Sequence, residues 1–503
     1  MQRARLLLNR YFDAPYGLIA VAFGLGLGIR LSVVMGLDFV LNDGGFWYAF
    51  AKAVRDAGFA LPHSIQFNGE SVLATYPPLA AYVLAVLERF SGVGIVPLLI
   101  WVPFIISVAA LVAFIAVALR LLGYTPSAYV SIFAFALLPV SYRTFLMGGG
   151  IARGLGLLFL LLSWLGLMRA YGEDSRRDFF LGGVCAGLAA LSHPVAGLLA
   201  AVGGSLLLVR RERIVWAGAV VICAGTLVVG PWLFVMITRY GISPYMLAFK
   251  AGGQGANSVA IALVSLPTYG QLAVLNALVV VGIISAVLRG WFFGAQVFVA
   301  MLLLMPQKLS SDFGCIPFAL LAGEGGAVIW NALKAASPTR SGSLMLSLVL
   351  LLFILVGDSG GYAKQVAGYT LTLQEVQQLQ KLDELFGEPQ KITVLSQSFV
   401  NGGDALGEWI GTLSKHRSVL THQLREWTGD FAVVIDQQQK VEACCAKPTA
   451  KCVETVLALS QKIEKGILIW THRSSCRGLE LEMLASKRCE PIFPDQVPMM
   501  LCF

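Results

Sequence analysis

The chain reads first as a series of long apolar runs cut by short polar turns. The runs are Tyr16 to Met35, Pro77 to Phe90, Val93 to Leu122, Ser127 to Leu146, Ile151 to Ala170, Phe179 to Val209, Ile214 to Ile237, Tyr269 to Leu288, Trp291 to Met305, Phe313 to Leu333 and Leu344 to Val356. About 20 apolar residues in a helix cross a hydrocarbon core of about 30 Å. The pattern therefore predicts an α-helical polytopic membrane protein. Two runs are long enough for a pair of short helices: Phe179–Val209, interrupted by Ser192-His193-Pro194, and Val93–Leu122, with Pro97 and Pro103 near its start. Proline lacks a backbone donor and disfavours helix in the residue before it, so both are expected break points.

Charge then sets orientation. Arg3, Arg5, Arg10, Arg176, Arg177, Arg210, Arg211, Arg213, Arg289, Lys334 and Arg340 lie in turns between runs or before the first, as the positive-inside rule expects of cytoplasmic segments. That places the loops 38–76, 192–194, 238–257 and 308–312, and the tail after Gly357, outside. An inside start and an outside end need an odd number of crossings. Splitting only Phe179–Val209 gives about 12, so about 13 are predicted, the extra one between Pro77 and Leu122; a re-entrant early helix is the alternative. With no small-residue cleavage site, the first span is expected to be retained.

The pattern changes near residue 357, which predicts a transmembrane domain over 1–357 and a soluble domain over 358–503. Thr372–Phe386 has helical spacing, Lys391–Leu395, Phe431–Ile435 and Gly466–Thr471 read as strands, and Val453–Ile463 reads as a helix. Strands alternating with helices predict a small extracytoplasmic α/β domain.

Composition supports this division. Hydrophobic residues make up 57% and charged residues 13%, with a mean hydropathy of +0.74, whereas soluble domains carry about 25% charged residues. The net charge of +8 belongs largely to basic inside loops and gives no reason to expect nucleic acid. Of nine cysteines, Cys444, Cys445, Cys452, Cys476, Cys489 and Cys502 fall in the tail. An even set in an extracytoplasmic domain favours disulfides, with the pairing open. A metal site is the competing reading, although Cys444-Cys445…Cys452 lacks the usual zinc spacing. Cys185, Cys223 and Cys315 fall in spans as packing residues.

Chemistry concentrates in the first outside loop. Asp43-Gly44-Gly45 precedes a segment with Phe46, Phe50, Ala53, Val54 and Ala57 at helical spacing, and Thr75-Tyr76-Pro77-Pro78-Leu79 closes the loop. Such a helix can lie flat at the headgroup level and would hold Asp43 near a lipid phosphate. A positioned carboxylate there can deprotonate an attacking hydroxyl, while cations or a metal stabilise the leaving phosphate. The competing reading makes Asp43 a helix cap and the glycines turn residues.

Asp43-Gly44-Gly45, the following helix, Gly58-Phe59-Ala60-Leu61-Pro62 and Tyr76-Pro77-Pro78-Leu79 resemble the first periplasmic loop of GT-C-fold glycosyltransferases, the superfamily of protein O-mannosyltransferases and lipid A aminoarabinose transferases. Arg143, Gly148-Gly149-Gly150, Arg153, Leu191–Pro194, Glu408-Trp409, Arg417-Ser418-Val419 and Glu426-Trp427 resemble a bacterial branch of that fold. The resemblance implies an inner-membrane enzyme that moves a sugar from a polyprenyl-phosphate carrier to an extracytoplasmic glycan, lipid or protein, with Asp43 catalytic. The superfamily often has Asp-Glu where this chain has Asp-Gly, so a second carboxylate is sought elsewhere; Asp38 and Glu70 are candidates. A divalent metal at Asp43 is the one cofactor the resemblance leaves open.

The remaining candidates for substrate contact are Tyr76, Arg143, Arg153, His193 and Lys308. Paired arginines can clamp a phosphate; on the inside face they would be ordinary orientation markers. His193 sits at membrane depth, where ionisable residues are functional by default, or in a wet turn. Lys308 can meet a phosphate or snorkel. Arg239 and Lys250 are weaker candidates, and Glu324 needs a partner. No nucleotide-binding or zinc-protease motif is present. A transporter or flippase for a lipid or anionic solute is the rival reading, and a non-catalytic scaffold on the same fold is a third.

Overall fold

The computed structural model describes residues 16–173, 175–209, 214–252, 273–290, 292–304, 312–336, 341–396, 404–460, 467–471, 476–493 and 497–503. The first span is α1 (Tyr16–Val34). The first loop follows, with α2 (Gly45–Asp56) and a hairpin of β1 (Ser64–Phe67) and β2 (Glu70–Leu73). Next come α3 (Leu79–Ser91), α4 (Ile95–Leu122), α5 (Pro126–Leu137), the short α6 (Arg143–Leu146) and α7 (Gly150–Glu173). The bundle continues with α8 (Arg176–Ser192), α9 (Pro194–Leu208), α10 (Ile214–Tyr240), α11 (Ser243–Gly252), α12 (Ala273–Arg289), α13 (Phe293–Leu304), α14 (Cys315–Ala336) and α15 (Ser341–Ala367).

Among the described residues, five helices are long and apolar enough to cross a membrane, or up to seven if each bent pair counts as one span. The expected count of about 13 is not reached among these residues, where several apolar runs fold as helices of 10–17 residues or as bent pairs. The break at His193 is as expected: α8 and α9 have 17 and 15 residues, roughly 26 and 23 Å each. Two expectations fail. Pro97 and Pro103 do not divide α4, which runs unbroken for 28 residues; Pro97 sits in the first turn, where its N–H would have no helical partner. The run Ser127–Leu146 is instead bent by 73° at Pro139.

The tail forms α16 (Leu373–Leu385), β3 (Lys391–Leu395), α17 (Ala405–Leu413), β4 (Arg417–Ser418), α18 (Phe431–Ala446), α19 (Ala450–Leu459), β5 (Ile467–Thr471), α20 (Arg477–Ala485), β6 (Cys489–Phe493) and β7 (Val497–Cys502). Its five strands lie in the order β4-β3-β5-β7-β6, parallel across β4-β3-β5 and antiparallel across β5-β7-β6. Phe431–Ile435, expected as a strand, is the first turn of α18. The β-branched run is overridden by a helical burial period through Val434, Gln438, Val441 and Cys445. The cysteines pair Cys444–Cys452, Cys445–Cys476 and Cys489–Cys502, so the zinc alternative does not hold.

The tail does not stand apart from the bundle. Phe46, Trp47 and Phe50 of α2 belong to one hydrophobic core with Ile392, Trp409, Trp427 and Trp470 of the tail. The apolar face of α2 is therefore covered by protein, and the helix does not lie flat on a lipid surface as expected.

Candidate functional site

Asp43 sits where the chain leaves α1 and turns into α2. Three segments hold the turn. Asn42 N–H donates to Tyr369 O (2.8 Å), Gly148 N–H donates to Leu41 O (3.0 Å), and Trp409 Nε1–H donates to Asn42 O (3.3 Å). The backbone is left-handed at Asn42 (φ 54°) and positive at Gly44 (φ 144°). Asn tolerates the first and only glycine suits the second. This accounts for Gly44 in the Asp43-Gly44-Gly45 sequence.

The Asp43 side chain is 10% exposed and does not cap α2, whose N-cap Gly44 has no side-chain cap bond. It turns to the glycine triplet instead. Gly149 N–H donates to Asp43 Oδ1 at 3.0 Å, and Arg153 Nη2 lies 3.6 Å from Oδ2. A Cβ on Gly149 would run into the Asp43 carboxylate. The triplet thus receives Asp43. Burial pushes the Asp43 carboxyl above the usual range, against the pull of Arg153 and the Gly149 N–H.

Two carboxylates that sequence reasoning did not assign to the site stand beside it. Glu408, on α17 of the tail, is 2% exposed. Its Oε1 accepts the N–H groups of Gly44 (3.2 Å) and Phe46 (2.9 Å), and its Oε2 accepts Gln423 Nε2–H (3.1 Å). It supplies from 364 residues away the cap that α2 lacks locally. Burial and the charge of Asp43 push Glu408 up to about 8. Asp312 is 3% exposed at the entry to α14 and is an electrostatic neighbour of Asp43, Tyr76 and Arg153. The second carboxylate sought in the loop thus comes from distant segments.

The other expected residues divide. Tyr76 packs its ring 5.2 Å from Trp47, 6.0 Å from Trp427 and 6.4 Å from His193. Burial pushes its phenol up, so it stays a proton-bearing donor. His193 is buried beside Phe313, ring to ring at 5.4 Å. Arg143 leaves Asp43 to Arg153 and donates from Nη1 to Tyr362 Oη (2.8 Å). Glu70 does not join Asp43: it pairs with Arg417 and with Arg425, the latter at 2.9 Å. Asp38 is exposed, Arg239 donates to Leu61 O (3.1 Å), and Lys250 is exposed. Glu324 accepts from Ser285 Oγ (3.1 Å), and Lys308 lies outside the described residues.

These contacts bring 38–76, 192–194, 238–245, 312–313 and the tail to one end of the bundle, with the Gly148–Gly150 turn among them. Asp43 Oδ1 is engaged by an amide and Oδ2 faces a guanidinium. No group of three or more His, Cys, Asp or Glu placed to hold an ion occurs among the described residues.

Residues 74–306 match the model of glycosyltransferase family 87. Among solved structures the chain is similar to ArnT from Cupriavidus metallidurans bound to undecaprenyl phosphate, at 13% identity and TM-score 0.54, covering 97% of this chain and 98% of that one. It is also similar to the arabinofuranosyltransferase AftD from Mycobacteria, at 18% identity and TM-score 0.52 over 94% of this chain and 37% of that one. The Archaeoglobus fulgidus oligosaccharyltransferase in complex with zinc and sulfate matches at 12% identity and TM-score 0.50, over 80% of this chain and 62% of that one. The chain thus spans less than two thirds of the archaeal enzyme and little more than a third of AftD. No curated protein matches it by sequence. The family match over residues 74–306 and the shared architecture agree: the chain has the polytopic GT-C fold that these glycosyltransferases have.

Proposed function

We propose that this enzyme transfers a sugar from a polyprenyl-phosphate carrier to a hydroxyl acceptor on the extracytoplasmic face of the inner membrane, with Asp43 as general base. The observation that carries the reading is the placement of Asp43. It is a buried carboxylate, pushed toward greater basicity, at the end of the first span, with one cation at 3.6 Å. The acceptor oxygen attacks the anomeric carbon, its proton passes to Asp43, and the sugar–phosphate bond breaks with its electron pair on the carrier phosphate. Arg153 stabilises the charge gathering on that phosphate, and Tyr76 and His193 line the approach. The ArnT relative is bound to undecaprenyl phosphate, which supports the choice of carrier.

Three paired disulfides in the tail support its placement outside, since such bonds persist in oxidising compartments. The loops that approach it are those the basic turns place outside. Soluble tail and transmembrane bundle are read as two domains divided near residue 357, with an odd number of crossings.

The test is transfer from a panel of radiolabelled polyprenyl-phosphate sugars by the wild-type protein and by Asp43→Asn. Loss of transfer in the variant, with the fold intact, is the expected result. Equal rates would remove Asp43 from the reaction.

A further inference from the structure

We infer that Glu408 is a positioning residue for Asp43, so that the soluble tail completes the active site rather than merely covering it. The inference rests on the base role proposed above. The geometry is specific. Asp43 lies between two residues of positive φ, a conformation that persists only where the surroundings over-determine it. Glu408 Oε1 takes the amides on the downstream side, Gly44 and Phe46, while Trp409 takes the Asn42 carbonyl on the upstream side. Consecutive residues of α17 therefore grip the turn on both sides of Asp43. Gly45 seats against Thr412 and Glu408 on the next turn of the same helix, with no room for a Cβ. A packing helix would need only apolar contact here; a carboxylate with three donors and 2% exposure is a costly way to dock a domain.

Glu408 also carries charge into the site. The ionisable groups that face it and Asp43 are Arg153 from α7, Asp312 before α14 and Tyr76 from the end of the first loop, with Glu426 beyond Tyr76. Among the described residues Arg153 is the cation of this set, against Asp43, Asp312 and Glu408. A protonated Glu408 spares the anionic donor a further negative charge. Its ionisation, in the region of pH 8, would repel the donor phosphate.

Glu408→Gln keeps an oxygen for the two amides and removes the charge; Glu408→Ala removes both. Two readouts separate the roles in the full-length protein. Hydrogen exchange of the peptide spanning 41–48 reads the grip without any substrate. Release of label from undecaprenyl-phosphate-linked hexose and pentose, in solubilised membranes containing the cell's own acceptors, reads the chemistry. The alanine variant should lose amide protection and at least tenfold in kcat, while the glutamine variant keeps the protection. In the wild type the donor KM should rise as pH passes 8, and Glu408→Gln should flatten that rise. Wild-type protection and kcat in the alanine variant, beside an inactive Asp43→Asn, would overturn the inference and leave the base reading standing. An active Asp43→Asn would remove the base, while the exchange data still read the grip.

Discussion

Arg30 lies near the C-terminal end of α1 with no exposed surface. Its Nε donates to Ser107 Oγ (3.0 Å), Nη1 to Gly26 O and Ala136 O (3.0 Å each), and Nη2 to Ser141 O (3.2 Å) and Ser141 Oγ (3.0 Å). A guanidinium has five N–H groups, and five hydrogen bonds occupy it. Its charge is met by the freed carbonyls at the α5 bend and by the Tyr142 ring at 5.6 Å. Asp43, just beyond the same end of that span, is almost as buried. Yet it has one amide, a loosely held arginine, and two further carboxylates as neighbours. One buried charge is satisfied to capacity and holds a bend; the other is left in tension by like charges. In this molecule degree of burial does not separate structural from chemical charges, but completeness of compensation does.

Asp43→Asn tests that contrast most severely. It keeps the shape and the bond from Gly149 but removes the basic oxygen, and kcat should fall by about 10²–10⁴ while the unfolding midpoint stays put or rises. A rise is expected because a neutral amide removes repulsion from Asp312 and needs less solvation where it is buried. Arg153→Met comes next. Losing the cation paired with Asp43 should cost on the order of 10² in kcat, with Arg153→Lys recovering only part, because a point charge does not reproduce the planar fork. Arg30→Met should invert the pattern. It leaves buried carbonyls without donors, so stability should drop by about 3 kcal/mol, read as a lower unfolding midpoint, while the folded fraction keeps a near-wild-type kcat. A large kcat loss at wild-type stability would break the comparison.

Half of this site is legible in the sequence. Asp43 announces itself by its place at the end of an apolar run, followed by two glycines and a helical period. His193 and Tyr76 are visible as polar residues at proline-marked breaks. Arg153 is visible, but the spacing says nothing of which arginine faces Asp43. Glu408 and Asp312 are a different case. Their roles depend on tertiary contacts of up to 364 residues' separation, and local pattern does not carry such contacts. A weaker signal does exist: Glu408 is an acidic residue between Gly407 and Trp409, and Asp312 closes a polar turn directly before the apolar run that begins at Phe313. Such residues are rarely buried without a partner. The fold shows the same limit. Helix positions follow the apolar runs, whereas the bend at Pro139 and the continuity of α4 through Pro103 are set by packing.

Glu70→Gln gives the smallest expected effect and the sharpest control. Glu70 is the loop carboxylate the sequence offered as a partner for Asp43, and it too bridges the first loop to the tail, through Arg417 and Arg425. Its side chain is 31% exposed, so solvent screens both pairs and keeps the carboxylate hydrated. Exposed ion pairs contribute about 0.2–1 kcal/mol, and the core shared by Phe46, Trp409 and Trp427 holds the domains together without them. The variant should therefore shift the unfolding midpoint slightly, lose that small contribution at high salt in the wild type as well, and leave kcat and the donor KM unchanged. Were Glu70→Gln instead to cost as much activity as Glu408→Ala, any break between loop and tail would suffice to disable the enzyme, and the special standing of the buried carboxylates would fall.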